Sequence, residues 1–164
     1  MITQPRLKEL LSYDPTTGHF TWLMGWSRTP AGSRAGTVTR NAYGYRYIMI
    51  PKRFYAAHQL AWLFMTGRWP TDEIDHINRQ ADDNRFVNLR ECTRSQNQAN
   101  IGLSKANKSG IKGVHKCTKS GRWRALIKIN GRIRNLGFFD DLEEAAAAYR
   151  EAAAELFGEF SHAA

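Results

Sequence analysis

The sequence contains few cysteines and no long apolar segment. Its only two cysteines, Cys92 and Cys117, cannot supply a four-cysteine zinc site, and no C-x-x-C pair is present for a mixed cysteine–histidine finger. We therefore expect two free thiols in a reducing compartment and no structural zinc. No apolar run approaches the ~20 residues of a membrane span, and residues 1–6 lack a secretory signal pattern. The expected location is the cytoplasm, without a membrane partner.

Acidic residues are missing from two long stretches of the chain. Residues 15–71 contain seven Lys and Arg, and residues 102–139 contain ten, with no Asp or Glu in either stretch. Solvated surfaces normally mix both signs of charge, and the net charge of +9 favours a polyanionic partner. Both stretches are predicted to face phosphates, so double-stranded DNA is the expected partner. Six of the fifteen acids fall within residues 72–91, where they suit a cation site.

Periodicity and turn signals predict an α+β chain. Before residue 70 they give helices over 4–11 and 54–66 and strands over 19–23, 37–40 and 45–50. After a linker over 102–109 they give strands over 110–115, 122–129 and 132–138, then a helix over 142–157. Asn130-Gly131 is a strong hairpin signal, and Asp140 or Asp141 is expected to cap the last helix. The C-terminal part is thus predicted to be a three-stranded antiparallel sheet packed on one helix.

Residues 75–100 combine an Asp-His pair with later asparagines, a set suited to phosphodiester hydrolysis. That reaction needs a base for water and positive charge at the phosphate. Histidine suits the base role because its unperturbed pKa is about 6.5, and carboxylate and amide oxygens suit a hard divalent ion. Consecutive residues at a strand end point to opposite sides, so one residue of the Asp-His pair can face a metal while the other faces water. The alternative is a polar loop whose asparagines serve turns and caps. A calcium-binding EF-hand loop is excluded because its mid-loop glycine is absent.

Three segments, Asp75-His76, Asn88-Leu89-Arg90 and Ser95-Gln96-Asn97, together resemble the motif of HNH endonucleases of phage and mobile-element origin, including homing enzymes. The resemblance implies a nuclease domain over 1–101 with a ββα-metal core over 70–101. It implies that Asp75 and Asn97 bind one divalent ion, Mg²⁺ before Mn²⁺, that His76 is the general base, and that Asn88 braces the loop.

Further residues around this motif are expected to contact DNA or to serve the fold. Arg79, Arg85, Arg90 and Asn100 are predicted phosphate contacts. Arg85 and Arg90 could equally pair with acids of the same stretch, namely Asp82, Asp83 or Glu91. His58, on the predicted helix 54–66, is expected to be buried or to contact phosphate, and a metal-ligand role is less favoured.

The predicted strand 122–130 alternates between apolar and mainly basic residues. Trp123, Ala125, Ile127 and Ile129 share one face, and Arg122, Arg124, Leu126 and Lys128 share the other. The first face is expected to pack on the helix and leave the basic face outward, where a sheet can enter the major groove. An ordinary solvated basic strand is the alternative.

A second resemblance covers residues 109–160. The segments Ser109–His115, Gly121–Ala125, Asn135–Phe139 and Glu143–Tyr149 resemble the APETALA-type DNA-binding domain, expected here over 110–161. The resemblance implies that Lys112, His115, Arg122, Arg124 and Lys128 face DNA. Simple periodicity turns Arg132 and Arg134 outward, whereas the family register turns Ile133 and Asn135 outward, and the sequence leaves this open.

These observations predict a metal-dependent DNA endonuclease whose cleavage site is chosen partly by the C-terminal domain, acting as a monomer. The alternative is a DNA-binding regulator that uses the nuclease portion only as a scaffold. A nuclease acting on RNA is less favoured because nothing in the chain matches an RNA-binding module.

Overall fold

The computed structural model describes residues 1–25, 29–39 and 44–161, which fold as two compact units, 1–91 and 92–164. Each unit has its own hydrophobic core. The described residues form four α-helices and ten short strands in small sheets, so the predicted α+β class is confirmed. None of the described helices is long and apolar enough to span a bilayer. The domain limits 1–101 and 110–161 stay a prediction.

The first unit builds three small sheets around two helices. The elements are α1 (Gln4–Leu10), β1 (Leu11–Asp14), β2 (His19–Trp22), β3 (Thr37–Val38), β4 (Arg46–Ile50), β5 (Arg53–Ala56), α2 (Ala57–Thr66), β6 (Glu73–His76), a 3₁₀ turn (Phe86–Asn88) and β7 (Leu89–Cys92), whose last residue belongs to the second unit. The sheets are β1–β2, β3–β4–β5 and β6–β7. Thr3 caps α1, and Gly67 ends α2 with a φ of 79°, as expected for a left-handed terminator. The predicted turn after β3 falls largely on residues 40–43, outside the described residues.

The predicted helix over 54–66 begins later in the structure, at Ala57. Arg53–Ala56 instead forms β5, which pairs with β4 in the register Met49↔Phe54 and Ile48↔Tyr55. Pro51 and Lys52 make the tight turn between the two strands, with Lys52 at a φ of 63°. Pairing with β4 therefore holds Phe54 and Tyr55 in a strand, although helical periodicity had assigned both to a helix. Phe54 is 65% exposed.

The second unit is a helix followed by a three-stranded antiparallel sheet with one longer helix packed on it. Its elements are α3 (Arg94–Asn100), β8 (Val114–Lys116), β9 (Trp123–Ile129), β10 (Arg132–Phe139) and α4 (Leu142–Phe157). The strand order is β10–β9–β8. Asn130 and Gly131 have φ values of 49° and 77°, as the predicted hairpin requires. Asp141 caps α4. Ala125 and Ile127 pack with the small alanines of α4, which lets the helix lie close to the sheet.

The first strand of this sheet is shorter than predicted, because it starts at Val114 rather than at residue 110. Gly110 and Gly113 adopt positive φ values of 77° and 70°, which end regular pairing. At Gly113 a Cβ would lie 2.2 Å from an atom of the Tyr149 ring. The glycine lets the backbone pass directly over the α4 tyrosine.

The register of β9 and β10 decides the faces that the sequence left open. Arg132 lies opposite Ile129 and Arg134 opposite Ile127, whereas Ile133 lies opposite Lys128. Directly opposed residues share a face, so both arginines lie on the side of the sheet that packs on α4. Ile133 and Asn135 share the outer face with Lys128, and Ile133 is 66% exposed.

Candidate active site

The end of β6 buries two ionisable side chains next to each other. Asp75 and His76 are each 4% exposed, which is unusual for a carboxylate and an imidazole. Burial of such groups is unfavourable unless each is hydrogen-bonded or paired. The partners of these two side chains therefore define the site.

Asp75 is held by an arginine of the neighbouring strand β7. Arg90 Nε and Nη2 lie 2.9 Å and 2.8 Å from Asp75 Oδ2. Both side chains are largely buried, with 13% of the arginine and 5% of the aspartate exposed. Both of these contacts fall on Oδ2 and hold the carboxylate against β7.

His76 is held by a side chain that the sequence did not single out. Its Nε2 lies 3.2 Å from Oδ1 of Asn84, which is 1% exposed. The Asn84 side chain also donates from Nδ2 to the Asp82 carbonyl at 3.1 Å. Burial lowers the pKa of His76, and the bond to Asn84 and the nearby carboxylates oppose that shift only in part. His76 is therefore neutral at neutral pH and able to accept a proton.

Two aromatic rings enclose the imidazole. His58 on α2 meets His76 edge-on with ring centroids 5.1 Å apart, and Tyr45 lies 5.3 Å from His58 and 5.8 Å from His76. His58 is half-buried overall, but its Nδ1 is shut off from solvent and has no hydrogen-bond partner among the described residues. Burial and then the charge of a protonated His76 lower the pKa of His58 to about 3. The ring therefore acts as an uncharged packing surface for His76.

Asn88 ties the loop after β6 together. Its Oδ1 accepts from the Asn78 backbone N–H at 3.0 Å, and its Nδ2 donates to Asn78 Oδ1 at 2.9 Å and to the Asp83 carbonyl at 2.8 Å. The Asn88 backbone carbonyl also accepts from Ile77 N–H at 2.9 Å. One buried amide thus spans the start and the end of the loop that contains Asn84.

The N-terminal β1–β2 hairpin contacts the same loop. Tyr13 Oη donates to the Asn84 carbonyl at 2.7 Å, and Phe86 N–H donates to the Pro15 carbonyl at 3.2 Å. A Cβ on Gly18 would lie 2.4 Å from the backbone at Asn84 and Arg85. The β1–β2 turn therefore requires glycine at its closest approach to the loop.

Arginines of the first unit pair with the acids of this loop. Arg46 donates to both oxygens of Asp82 at 2.7 Å and 3.0 Å. Arg85 lies 2.8 Å and 2.6 Å from the two oxygens of Asp83 and holds the pKa of that carboxyl at about 2. Arg85 thus forms the ion pair that the sequence offered as the alternative to a DNA contact. Arg79, the other predicted contact, is exposed at a φ of 63°.

Comparison with known proteins assigns this region to a family. Residues 55–99 match the model of the HNH endonuclease family. The chain is also 32% identical over 114 residues to Protein 3.8 of Escherichia phage T7, a match that covers 67% of this chain and 93% of that protein. The chain belongs to the HNH endonuclease family. It is further similar to the uncharacterized HNH endonuclease L560 of Acanthamoeba polyphaga mimivirus, with 28% identity over 148 residues, or 90% of this chain and 68% of that protein. No solved structure matches the chain.

The remaining HNH asparagine, Asn97, lies on α3 in the second unit, together with the predicted phosphate contact Asn100. Thr93 caps α3, because its side chain accepts from Gln96 N–H and forms a capping box with that residue. Asn97 is half-buried and Asn100 is 6% exposed. Residues three apart share a helix face, so the two amides project from the same side of α3.

The donor chemistry of the HNH residues fits a hard divalent ion. No cluster of three or more His, Cys, Asp or Glu exists within the part of the chain that the structure describes. Mg²⁺ needs few protein ligands because it keeps several waters and binds substrate phosphates. The Asp75 carboxylate and the Asn97 amide oxygen are ligand types of this kind.

The outer face of the β8–β10 sheet carries most of the basic residues that were expected to face DNA. His115 lies opposite Arg124 in the register of the sheet, and both belong to the face that also carries Lys128. Arg124 Nε lies 3.1 Å from Asn135 Oδ1, and its guanidinium lies 5.3 Å from the Phe138 ring. His115 and Lys128 are exposed and form no ion pair with any described residue.

Two of the expected DNA contacts have partners inside the second unit. Arg122 pairs with Asp140 at 2.8 Å and donates to the Phe138 carbonyl at 2.9 Å. Lys112 Nζ donates to three carbonyls at the end of α3: those of Gln98 at 3.0 Å and of Ala99 and Ile101 at 2.5 Å each. A cation suits a helix C-terminus because the last carbonyls are unsatisfied there.

Proposed function

We propose that this HNH endonuclease hydrolyses phosphodiester bonds of double-stranded DNA with one divalent metal ion. The observation that carries the proposal is the buried Asp75–His76 pair, in which each side chain is fixed by a different partner, Arg90 and Asn84. Side chains that are already held in position need little reorganisation when the reaction takes place. A loop that served only turns and caps would need neither buried group.

His76 is proposed as the general base. The lowered pKa of His76 keeps the imidazole unprotonated at neutral pH, so that a nitrogen lone pair is present to take a proton from water. Asn88 is proposed as the brace, because its side chain ties the two ends of the loop that positions Asn84.

Asp75 and Asn97 are proposed as the metal ligands, the roles that the HNH resemblance implies for them. When bound, the ion supplies positive charge for the scissile phosphate and the leaving oxygen. Mg²⁺ is the ion proposed, and Mn²⁺ has the same ligand preferences. Arg90 orients the Asp75 carboxylate through the hydrogen bond from its Nε to Oδ2.

The second unit is proposed to bind DNA and to choose the cleavage site in part, as a domain of the APETALA type. Support comes from its three-stranded sheet on one helix and from the basic outer face. The proposed contacts are Lys112, His115, Arg122, Arg124 and Lys128. Arg79 and Asn100 are proposed to contact phosphates, and so is Arg85, which would exchange its ion pair with Asp83 for a phosphate. Similarity to viral proteins supports a phage or mobile-element origin.

The decisive experiment is a nicking assay on supercoiled plasmid with Mg²⁺, with Mn²⁺ and with EDTA. We expect nicks with either ion and none with EDTA. His76→Ala should lower the rate by ~10²–10⁴-fold, the usual contribution of a general base, whereas His19→Ala, on the exposed side of β2, should cleave like the wild type.

A protein that binds DNA but never nicks it would instead be the non-catalytic regulator. Equal rates for His76→Ala and the wild type would reject His76 as the base.

A further inference from the structure

Asn84 is the most buried polar residue of the candidate site, at 1% exposure. Its side chain has two ends with different chemistry, an oxygen that only accepts hydrogen bonds and a nitrogen that only donates them. Which end faces His76 determines which imidazole nitrogen carries the hydrogen.

The Asp82 carbonyl fixes the orientation of the Asn84 amide. A carbonyl can only accept, so the group 3.1 Å from it must be the donating Nδ2. Oδ1 then necessarily faces His76 Nε2, at 3.2 Å. Two acceptors cannot hydrogen-bond to each other, so Nε2 must carry the hydrogen.

Neighbouring contacts hold Asn84 in this position. The Tyr13 hydroxyl donates to its backbone carbonyl at 2.7 Å. The bidentate pair of Arg46 with Asp82 anchors the residue whose carbonyl orients the amide. Rotation of the Asn84 amide would place Oδ1 against the Asp82 carbonyl and leave two buried acceptors without a hydrogen between them, which is unfavourable.

We propose that Asn84 is a positioning residue that fixes His76 as the Nε2–H tautomer, so that Nδ1 carries the lone pair that accepts a proton from water. In the reaction, Nδ1 takes one proton of the water, and the water oxygen forms a bond to phosphorus. The bond from phosphorus to the leaving 3′ oxygen breaks, and its electron pair stays on that oxygen, which takes a proton from solvent. The catalytic part of this proposal rests on the proposed function, whereas the tautomer does not.

The tautomer is measured directly by long-range ¹H–¹⁵N NMR of the full chain labelled with ¹⁵N-histidine, in the presence of EDTA. His76→Gln identifies the His76 signals. We expect the wild type to show an unprotonated Nδ1 and a protonated Nε2. Asn84→Asp keeps an acceptor at Oδ and should keep this tautomer, whereas Asn84→Leu, of similar size but without an acceptor, should give a mixture. A wild-type His76 with its hydrogen on Nδ1 overturns the proposal, and so does an Asn84→Leu spectrum with the unmixed wild-type tautomer.

Cleavage kinetics test the consequence for catalysis. With plasmid and Mg²⁺, Asn84→Leu should lower kcat by on the order of 10²-fold and leave KM for DNA unchanged, and Asn84→Asp should recover part of the loss. Equal kcat for Asn84→Leu and the wild type overturns the positioning role. If Asn84→Leu does not fold, the wild-type and Asn84→Asp spectra still decide the tautomer. A wild type with protonated Nε2 that never nicks DNA rejects the proposed function and leaves the tautomer assignment standing.

Discussion

The active-site region of the first unit and the outer sheet face of the second unit use charged side chains in different ways. In the first unit, arginines pair with acids of the same unit, as in Arg90–Asp75, Arg46–Asp82 and Arg85–Asp83. In the second unit, the outer sheet face presents His115 and Lys128 to solvent without an ionic partner among the described residues.

This difference matches the two tasks that a nuclease must perform. Chemistry requires groups held in one geometry before the substrate arrives, and internal ion pairs provide that. Attraction to a phosphate backbone requires exposed positive charge that releases counterions on binding. Two kinds of substitution test this difference. Those in the first unit should change stability, and those on the outer face of the second unit should change salt-dependent DNA binding.

The largest effect is expected from breaking the buried pair of the first unit. Arg90→Ala should lower the free energy of unfolding by about 3–5 kcal/mol, because it leaves Asp75 buried without its countercharge. Urea denaturation measures this change. Arg6→Ala, which removes an ion pair with Glu9 that is exposed on both sides, is the control and should stay close to the wild type. Equal losses for the two variants would mean that burial does not distinguish these pairs.

Gly18→Ala tests the support of the active-site loop by the N-terminal hairpin. The left-handed backbone alone costs an alanine about 1–2 kcal/mol, and the new Cβ would also displace the backbone at Asn84. We expect a loss of stability together with a loss of nicking. Gly32→Ala is a matched control, since it has a φ of 79° and no atom within 4 Å of its Cβ. If Gly32→Ala loses as much nicking as Gly18→Ala, contact with the loop is not the cause.

His58 should make the stability of the chain depend on pH. Its pKa is about 3 in the folded chain and about 6.5 when unfolded, so the unfolded state binds more protons between these values. The free energy of unfolding should therefore fall as the pH drops from 7 to 5, by up to about 1.4 kcal/mol per pH unit below 6.5. The lowered pKa of His76 acts in the same direction.

The measurement is urea unfolding at pH 7 and at pH 5, a window above the titration of most carboxyl groups. His58→Phe keeps a ring against His76 but cannot be protonated, so its stability should change less with pH. A pH dependence equal to that of the wild type would assign the effect to other groups.

The smallest effect is expected on the outer face of the second unit. Lys128→Ala should leave stability unchanged, weaken DNA binding at low salt and reduce the slope of log K against log [salt] by about one. Titrations of a labelled duplex at several salt concentrations measure the slope. Lys8→Ala, an exposed lysine of α1, should keep the wild-type slope. An unchanged slope in Lys128→Ala would make β9 an ordinary solvated strand.

Much of the fold could be predicted because its signals are local. Asp141 and the 142–157 periodicity gave α4 with its observed bounds, and Asn130-Gly131 gave the β9–β10 hairpin. The predicted helix start at residue 54 was wrong because the hairpin with β4 competes successfully for Arg53–Ala56. Periodicity describes one segment at a time and contains no information about a strand partner.

The candidate site divides in the same way. The sequence alone identified Asp75, His76, Asn88 and Asn97 as candidate site residues, because the HNH motif is a set of residue types at a fixed spacing along the chain. Only the tertiary structure decided which side chains hold them in place. Arg90 pairs with Asp75, Asn84 hydrogen-bonds to His76, and the distant Tyr13 in turn hydrogen-bonds to the Asn84 carbonyl. Asn84 stands in a run of turn-forming residues and has no signal of its own. Its role comes from burial and from the direction of one amide, and these exist only once residues far apart in the chain have packed together.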